Sequence, residues 1–549
     1  MSNSRSTACK IPFGVLLYAL FALILTYPLV FSPSSGAISH WTNDLEHSLW
    51  VQWWFASAME SPRLDLFHTD MIQFPNHVNL EFADINLAVC AAFYPLFKAM
   101  SLVTGHDVMA SLFLTYNFTI WLSFTLAAGL MWRLAKRVCN SEGAAWAAGL
   151  LFAASPYWLC CVLNAWVYLI HIWTLPLVFL AILRARDTKR TVDFGLAGLC
   201  FGLIFHVSPY YFLFSCVLLV SILPWQIRRI ASVAAEHRPS AVSLGAALCG
   251  VLIVVLPRVI PMLAASRAQY RVHHSPLNTV LGAEPSEMFL PSFADVAARV
   301  PSFGYLVVFL GYTLLGVILL GLVLSDRRSV YWKWLVTGSA MMLLSVGPFL
   351  NLSVGGTSFT VPLPDYLLHQ LPGFAFMTNH WRWSLPGTFC FTIAFSIALA
   401  DVSRFAEKRR ASTGRWIIAV ALSVFISESF LLFPFPVEKP TLKLRPTPIA
   451  HALKDEPAVK VVVGGEGKLD QMIHGKAIVG GWLPRLDTET RKRTERLWGE
   501  ISRRRGSALI NYLGQLGVSA LVVNPHQAVI ITADEARPGT FKGVALRVD

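Results

Sequence analysis

The chain has 549 residues, of which 55% are hydrophobic and only 14% charged, with a formal net charge of +13. A soluble protein carries about 25% charged residues. A mean hydropathy of +0.54 and repeated apolar runs of ~20 residues therefore exclude an ordinary soluble domain and place the chain in the membrane class. The basic excess is no nucleic-acid footprint: it sits in short runs between apolar segments, where it sets topology, and no nucleic-acid partner is expected. The nine cysteines form no CxxC pair, which argues against a zinc site and a disulfide framework.

In chain order, Ile11–Phe31 is an apolar run behind Arg5 and Lys10, read as a retained signal anchor with a cytoplasmic N-terminus. Residues 32–107 then form a first outer loop. Its last part, Asn86–Gly105, is apolar but holds Tyr94, Pro95 and Lys98, and reads as an interfacial helix. That choice puts Arg133, Lys136 and Arg137, which follow the Val108–Trp132 run, on the cytoplasmic side. The runs Gly143–Trp158, Ala165–Leu183, Val192–Val207, Tyr210–Trp225, Ser243–Leu263, Phe303–Leu324, Tyr331–Leu350, Leu385–Ala400 and Trp416–Phe433 then alternate. Each basic cluster between them, such as Arg184–Arg190 and Ser403–Arg410, falls on the cytoplasmic side. The count is roughly eleven spans. The expected fold is an all-α polytopic membrane domain over 1–434, with a small extracytoplasmic α/β domain over 435–549. In that tail the β-branched runs Val459–Gly464 and Val518–Val523 flank a polar helical stretch, Thr488–Gly506.

Long polar connections collect on the outer side, so chemistry is expected there. The most informative stretch is Trp41–Trp54, which carries Asp44 and Glu46 among aromatics. Acids beside hydrocarbon are costly and are usually functional. Asp44 can serve as a general base for a hydroxyl acceptor, or as a first-turn acid of a helix that begins Thr42-Asn43-Asp44. At i, i+2 spacing the two acids reach one site most easily from an irregular or extended segment. The aromatics read as a helix lying at the interface. Asp70 and Asp84 belong to a second polar cluster, around Gln73-Phe74-Pro75-Asn76, that can contribute to acceptor binding. A hard-cation site from Asp84, Glu81 and Asp44 is conceivable, but the sequence does not require a divalent cation. His206 precedes Ser208-Pro209-Tyr210-Tyr211 at one membrane face. Arg258, Arg267, His273 and His274 flank the second outer loop, and Arg382 stands between Trp381 and Trp383. A guanidinium there can hold a phosphate in a bidentate fork or anchor at the interface. No P-loop, GxGxxG, HExxH or GxSxG occurs: Gly465-Glu466-Gly467-Lys468 is followed by Leu469.

Several segments resemble the bacterial GT-C type integral-membrane glycosyltransferases. They are Asn43-Asp44 with the Trp50–Trp54 aromatics, Phe67-His68-Thr69-Asp70, Phe74-Pro75-Asn76-His77-Val78-Asn79, and Leu363-Pro364-Asp365-Tyr366 with Leu371-Pro372-Gly373-Phe374. The resemblance implies inverting sugar transfer from a polyprenyl-phosphate donor to a glycan or lipid acceptor at the outer face of the bacterial inner membrane. Carried over, Asp44 is the base, with Glu46 beside it. Arg382, Arg258 and His206 are candidates for the donor phosphate, and Asp70, Asp84, Tyr210 and Tyr211 for the acceptor or sugar. Only Arg382 survives of the Arg-x-Pro-x-Arg pattern usual before a late span. A lipid-linked glycan transporter or flippase, and a non-catalytic envelope assembly protein, are the other readings. Few intramembrane charges and an outer collection of polar residues favour chemistry at one face over alternating access.

Overall fold

The computed structural model describes residues 7–232, 241–268, 282–291, 308–325, 328–354, 357–371, 373–374, 377, 379–410, 412–433, 436–465, 467–481, 483 and 488–548. His273 and His274, and the side chain of Arg267, lie outside the described set. The chain divides into two compact units that do not follow sequence order. One comprises Met1–Phe31, Phe118–Pro257 and Val272–Pro440; the other comprises Ser32–Asn117, Arg258–Arg271 and Thr441–Asp549.

The first unit is mostly helical. Among the described residues of the whole chain, five helices are long and apolar enough to cross a membrane: Val108–Cys139, Glu142–Leu163, Ala241–Ala265, His380–Glu407 and Thr413–Leu431. Shorter apolar helices include Gly14–Leu25, Thr191–Val207, Pro209–Ile222 and Tyr312–Leu324. The Ser384–Glu407 helix is the axis of this unit, with every residue from Ser384 to Ser403 buried. Its neighbour Thr413–Leu431 and the Ala241–Ala265 helix instead leave large apolar side chains exposed, among them Trp416, Val420, Leu248, Ile253 and Ile260. Such faces suit hydrocarbon and not water. Glycine permits the tightest approach: a Cβ on Gly198 would meet the Ala247 carbonyl oxygen at 2.0 Å. Small residues let membrane helices close to backbone contact in this way.

Of the expected spans, Ile11–Phe31 is α-helical only as far as Leu25, Phe303–Leu324 is helical from Tyr312, after Gly311 at φ +90°, and two more depart in ways the backbone explains. Over Ala165–Leu183 the helix begins only at Thr174. Asn164 ends the preceding helix by donating its side-chain N–H to the Cys160 carbonyl at 2.8 Å. Ala165 then takes φ +53°, and turns fill the gap. Over Tyr331–Leu350 the helix runs Arg328–Ser345 and stops before Gly347, at φ +96°, and Pro348, which has no N–H to continue it. The chain leaves as strand Phe349–Val354, paired antiparallel with Thr357–Pro362.

The second unit is mixed. Its five-stranded sheet has the order Phe541–Arg547, Gln527–Ala533, Ala520–Asn524, Val461–Val463, Ala477–Val479. The first three strands are antiparallel and the last two join in parallel. Ile449, Leu453, Val462, Ala520 and Ile530 pack one face. Val463, Val479, Ile501, Leu513 and Ile531 pack the other, with Met71 and Phe74 from the loop before Leu87 against them. The loop reaches the sheet as an added edge: the Gln73 and Phe74 N–H groups donate to Gly480 and Ile478 at 2.9 and 3.0 Å, and Ile478 donates to Met71 at 2.9 Å. Ala37–Ile38 pairs with Thr441–Leu442. The polar cluster at residues 73–76 is thus a structural seam. Thr494 donates to the Gln73 side-chain carbonyl at 2.8 Å, and Asn76 donates to Thr494 at 3.3 Å.

Candidate active site

Each unit holds one cluster that chemistry could use. In the second unit, Thr42–Glu60 is a helix with Trp41 as N-cap and no side-chain cap, and Asp44 lies in its first turn. Trp50 and Trp54 are wholly buried and stack at 5.8 Å. These aromatics are core, not the expected interfacial belt; only Trp41 is largely exposed. The Lys468–His474 helix packs here. Gln471 Oε1 accepts the Trp50 indole N–H at 2.8 Å. Lys468 is 1% exposed, with Nζ 3.1 Å from His47 Nδ1 and 5.6 Å above the Trp50 ring. Asp44 and Glu46, both half-buried, act on Lys468 electrostatically. Although they leave the helix at different angles, one long side chain feels both carboxylates. Burial drives Lys468 down to about 7, against the upward pull of Glu46 and Asp44. Burial also holds His47 well below its usual value, with the Lys468 charge adding to the effect.

In the same unit Glu81 and Arg258 form a buried pair. Arg258 donates to the Glu81 carboxylate and, at 2.7 Å, to its backbone carbonyl, and its guanidinium lies 3.9 Å from the Phe67 ring centre. Asp70 is exposed and Asp84 half-buried, the latter at φ +56°. Among the described residues no His, Cys, Asp and Glu group has the arrangement of a metal site.

In the first unit, the short turn His380–Trp383 carries Arg382, which is 3% exposed. Its guanidinium carbon lies 4.7 Å from the Tyr210 ring centre, 5.4 Å from Trp166, 5.8 Å from Trp381 and 6.0 Å from Tyr168. Among the described residues it has no carboxylate partner, and its Nε has no hydrogen-bond partner. The same turn places His380 against Asp365, both buried, with the His369 ring 5.6 Å from His380. The fold thus brings together Tyr210 and Arg382, which the sequence links only loosely. Tyr211 is packing: its hydroxyl donates to the Leu169 carbonyl and lies 3.3 Å from that of Tyr157. His206 Nε2 meets the Val254 carbonyl at 2.7 Å, a tie between helices. Sequence reasoning passes over Lys468, His47 and the cage residues Trp166 and Tyr168. A lysine in a short apolar-flanked Gly-x-Gly-Lys-Leu turn is the only trace of the first.

The described residues hold several apolar helices, five of them long enough to cross a membrane, and a mixed five-stranded sheet at the C-terminal end. A scan against protein-family models returns no match, and neither does a search of curated proteins. Among solved structures, the chain is similar across nearly its whole length to GT-C membrane glycosyltransferases. One is ArnT from Cupriavidus metallidurans in the apo state, at 11% identity and TM-score 0.45, over 99% of this chain and 98% of that one. The undecaprenyl-phosphate-bound ArnT matches over 84% and 85%, at 11% identity and TM-score 0.46. The apo oligosaccharyltransferase of Archaeoglobus fulgidus matches at 11% identity and TM-score 0.48, over 93% of this chain and 69% of its own.

Proposed function

We propose that the protein is a membrane glycosyltransferase that moves a sugar from a polyprenyl-phosphate donor to a cell-envelope acceptor. The observation that carries this reading is Arg382. Desolvating a guanidinium costs several kcal/mol. Each aromatic face returns about 0.5–2 kcal/mol, and among the described residues no carboxylate supplies the rest. A buried cation of this kind in a membrane domain marks a site for an anion. The planar guanidinium suits a phosphate, which it can grip through two parallel N–H···O bonds. The motif resemblance points to the same donor class.

In this reading Asp44 takes the proton of the acceptor hydroxyl as its oxygen attacks the anomeric carbon. The bond from that carbon to the phosphate oxygen breaks, the configuration inverts, and polyprenyl phosphate leaves. General-base removal costs about 10²–10⁴ in rate. The test is purified full-length protein given a panel of radiolabelled undecaprenyl-phosphate hexoses and pentoses. Transfer or release of sugar is expected, with loss of that scale in Asp44→Asn. Turnover that survives in Asp44→Asn removes the assignment of the base.

A further inference from the structure

We infer that Lys468 is a positioning residue for Asp44, through which the C-terminal segment completes the candidate base site. The inference rests on the proposed transferase reading and adds to it a group that no motif assigns. Gly467, at φ +60°, starts the Lys468–His474 helix, so its first side chain projects from the helix end. The Gln471–Trp50 hydrogen bond of 2.8 Å fixes that helix one turn further on. Between these points the Lys468 stem lies buried along Trp50, and its Nζ reaches His47 at 3.1 Å. Asp44 and His47, three residues apart, share a helix face. The titratable groups facing Lys468 from the Thr42–Glu60 helix are therefore Asp44, Glu46 and His47. On its own helix, Asp470 is occupied by Thr447, whose N–H and hydroxyl donate to it at 2.7 and 2.8 Å. On the adjoining Pro448–Asp455 helix, His451, Lys454 and Asp455 are exposed.

A purely structural contact would favour an apolar residue, since a buried ammonium loses its hydration. A lysine held beside the candidate base has a chemical use. When protonated it draws the Asp44 carboxylate toward itself and lowers its basicity. When neutral it releases that restraint and leaves the carboxylate free to accept a proton. Because burial brings Lys468 to about 7, the change falls in the working range.

The experiment uses full-length protein and whichever undecaprenyl-phosphate sugar of the panel turns over. Wild-type turnover should rise about tenfold between pH 6 and 8, as Lys468 gives up its proton. Lys468→Arg keeps the charge, and should be slow and lose that inflection. Lys468→Met should lose the inflection without the slow acid limb. As a readout independent of turnover, the melting shifts of Asp44→Asn and Lys468→Met should be non-additive in the double variant by ~2 °C or more. Additive shifts, or an inflection unchanged in Lys468→Arg, overturn the inference. Non-additive melting without turnover of any donor retires the transferase reading and leaves the Asp44–Lys468 tie standing.

Discussion

Arg258 grips Glu81 twice, through the carboxylate and, at 2.7 Å, through the backbone carbonyl, with both side chains nearly inaccessible. Burial raises the Glu81 carboxyl and the Arg258 charge opposes that rise, so the two groups need each other. The pair ties Glu81 to the part of the Ala241–Ala268 helix from Arg258 onward, and both lie in the second unit. It also leaves Arg258 little to offer a phosphate. Removing one partner strands a buried charge, at a cost of about 3–5 kcal/mol. Arg258→Ala should therefore lower the melting temperature of the full-length protein clearly. The double variant Arg258→Met, Glu81→Leu should melt much closer to wild type. Equal losses in the single and double variants would mean that packing, not charge, holds this seam.

Arg382 makes the opposite prediction. With no acid among its described neighbours, its removal strands no carboxylate, so ligand binding should suffer more than stability. Arg382→Lys keeps the charge but loses the planar fork and the stacking on Tyr210. It should weaken undecaprenyl phosphate binding by roughly tenfold or more, as read by native mass spectrometry against uncharged undecaprenol. Binding of undecaprenol should not change. If phosphate and alcohol respond alike, Arg382 does not read the charge.

How much was legible in the sequence follows from which forces act locally. Apolar runs and basic flanks mark most helices to within a few residues, because hydrocarbon length and positive charge act on contiguous stretches. Thr191–Val207 against the expected Val192–Val207 shows this. The late start at Thr174 and the early stop at Ser345 were hidden: composition stays apolar there while the backbone turns at Ala165 and Gly347. The tail was visible as strand, helix and strand. That its sheet edge recruits residues 71–74 was not, because backbone pairing across ~400 positions leaves no periodicity. The same limit applies to the site. Asp44 and Arg382 stand out as charges beside apolar segments. The groups that complete their surroundings, Lys468 in one unit and Trp166, Tyr168 and Tyr210 in the other, are defined only by folding.

His474 gives a pH prediction separate from the chemistry. It ends the Lys468–His474 helix, is 5% exposed, and accepts the Lys476 N–H on Nδ1 at 2.9 Å. An imidazole that accepts there has no proton on that nitrogen. Burial first, and the Lys476 charge in addition, bring its titration down from 6.5 to about 4, despite the upward pull of Asp470. Between those values the unfolded chain binds the proton and the folded chain does not, so stability rises with pH across the window. Its contribution is whole above about 6.5 and is lost as pH falls toward 4, by at most about 3 kcal/mol. Lys468 acts in another window, since its lowered value makes stability rise between about 7 and 10.5. Melting of the full-length protein followed from pH 7 to 4 should therefore fall in wild type and fall less steeply in His474→Asn, whose side-chain carbonyl can still accept the Lys476 N–H. An acid limb of the same slope in both would show that the burial of His474 does not set it.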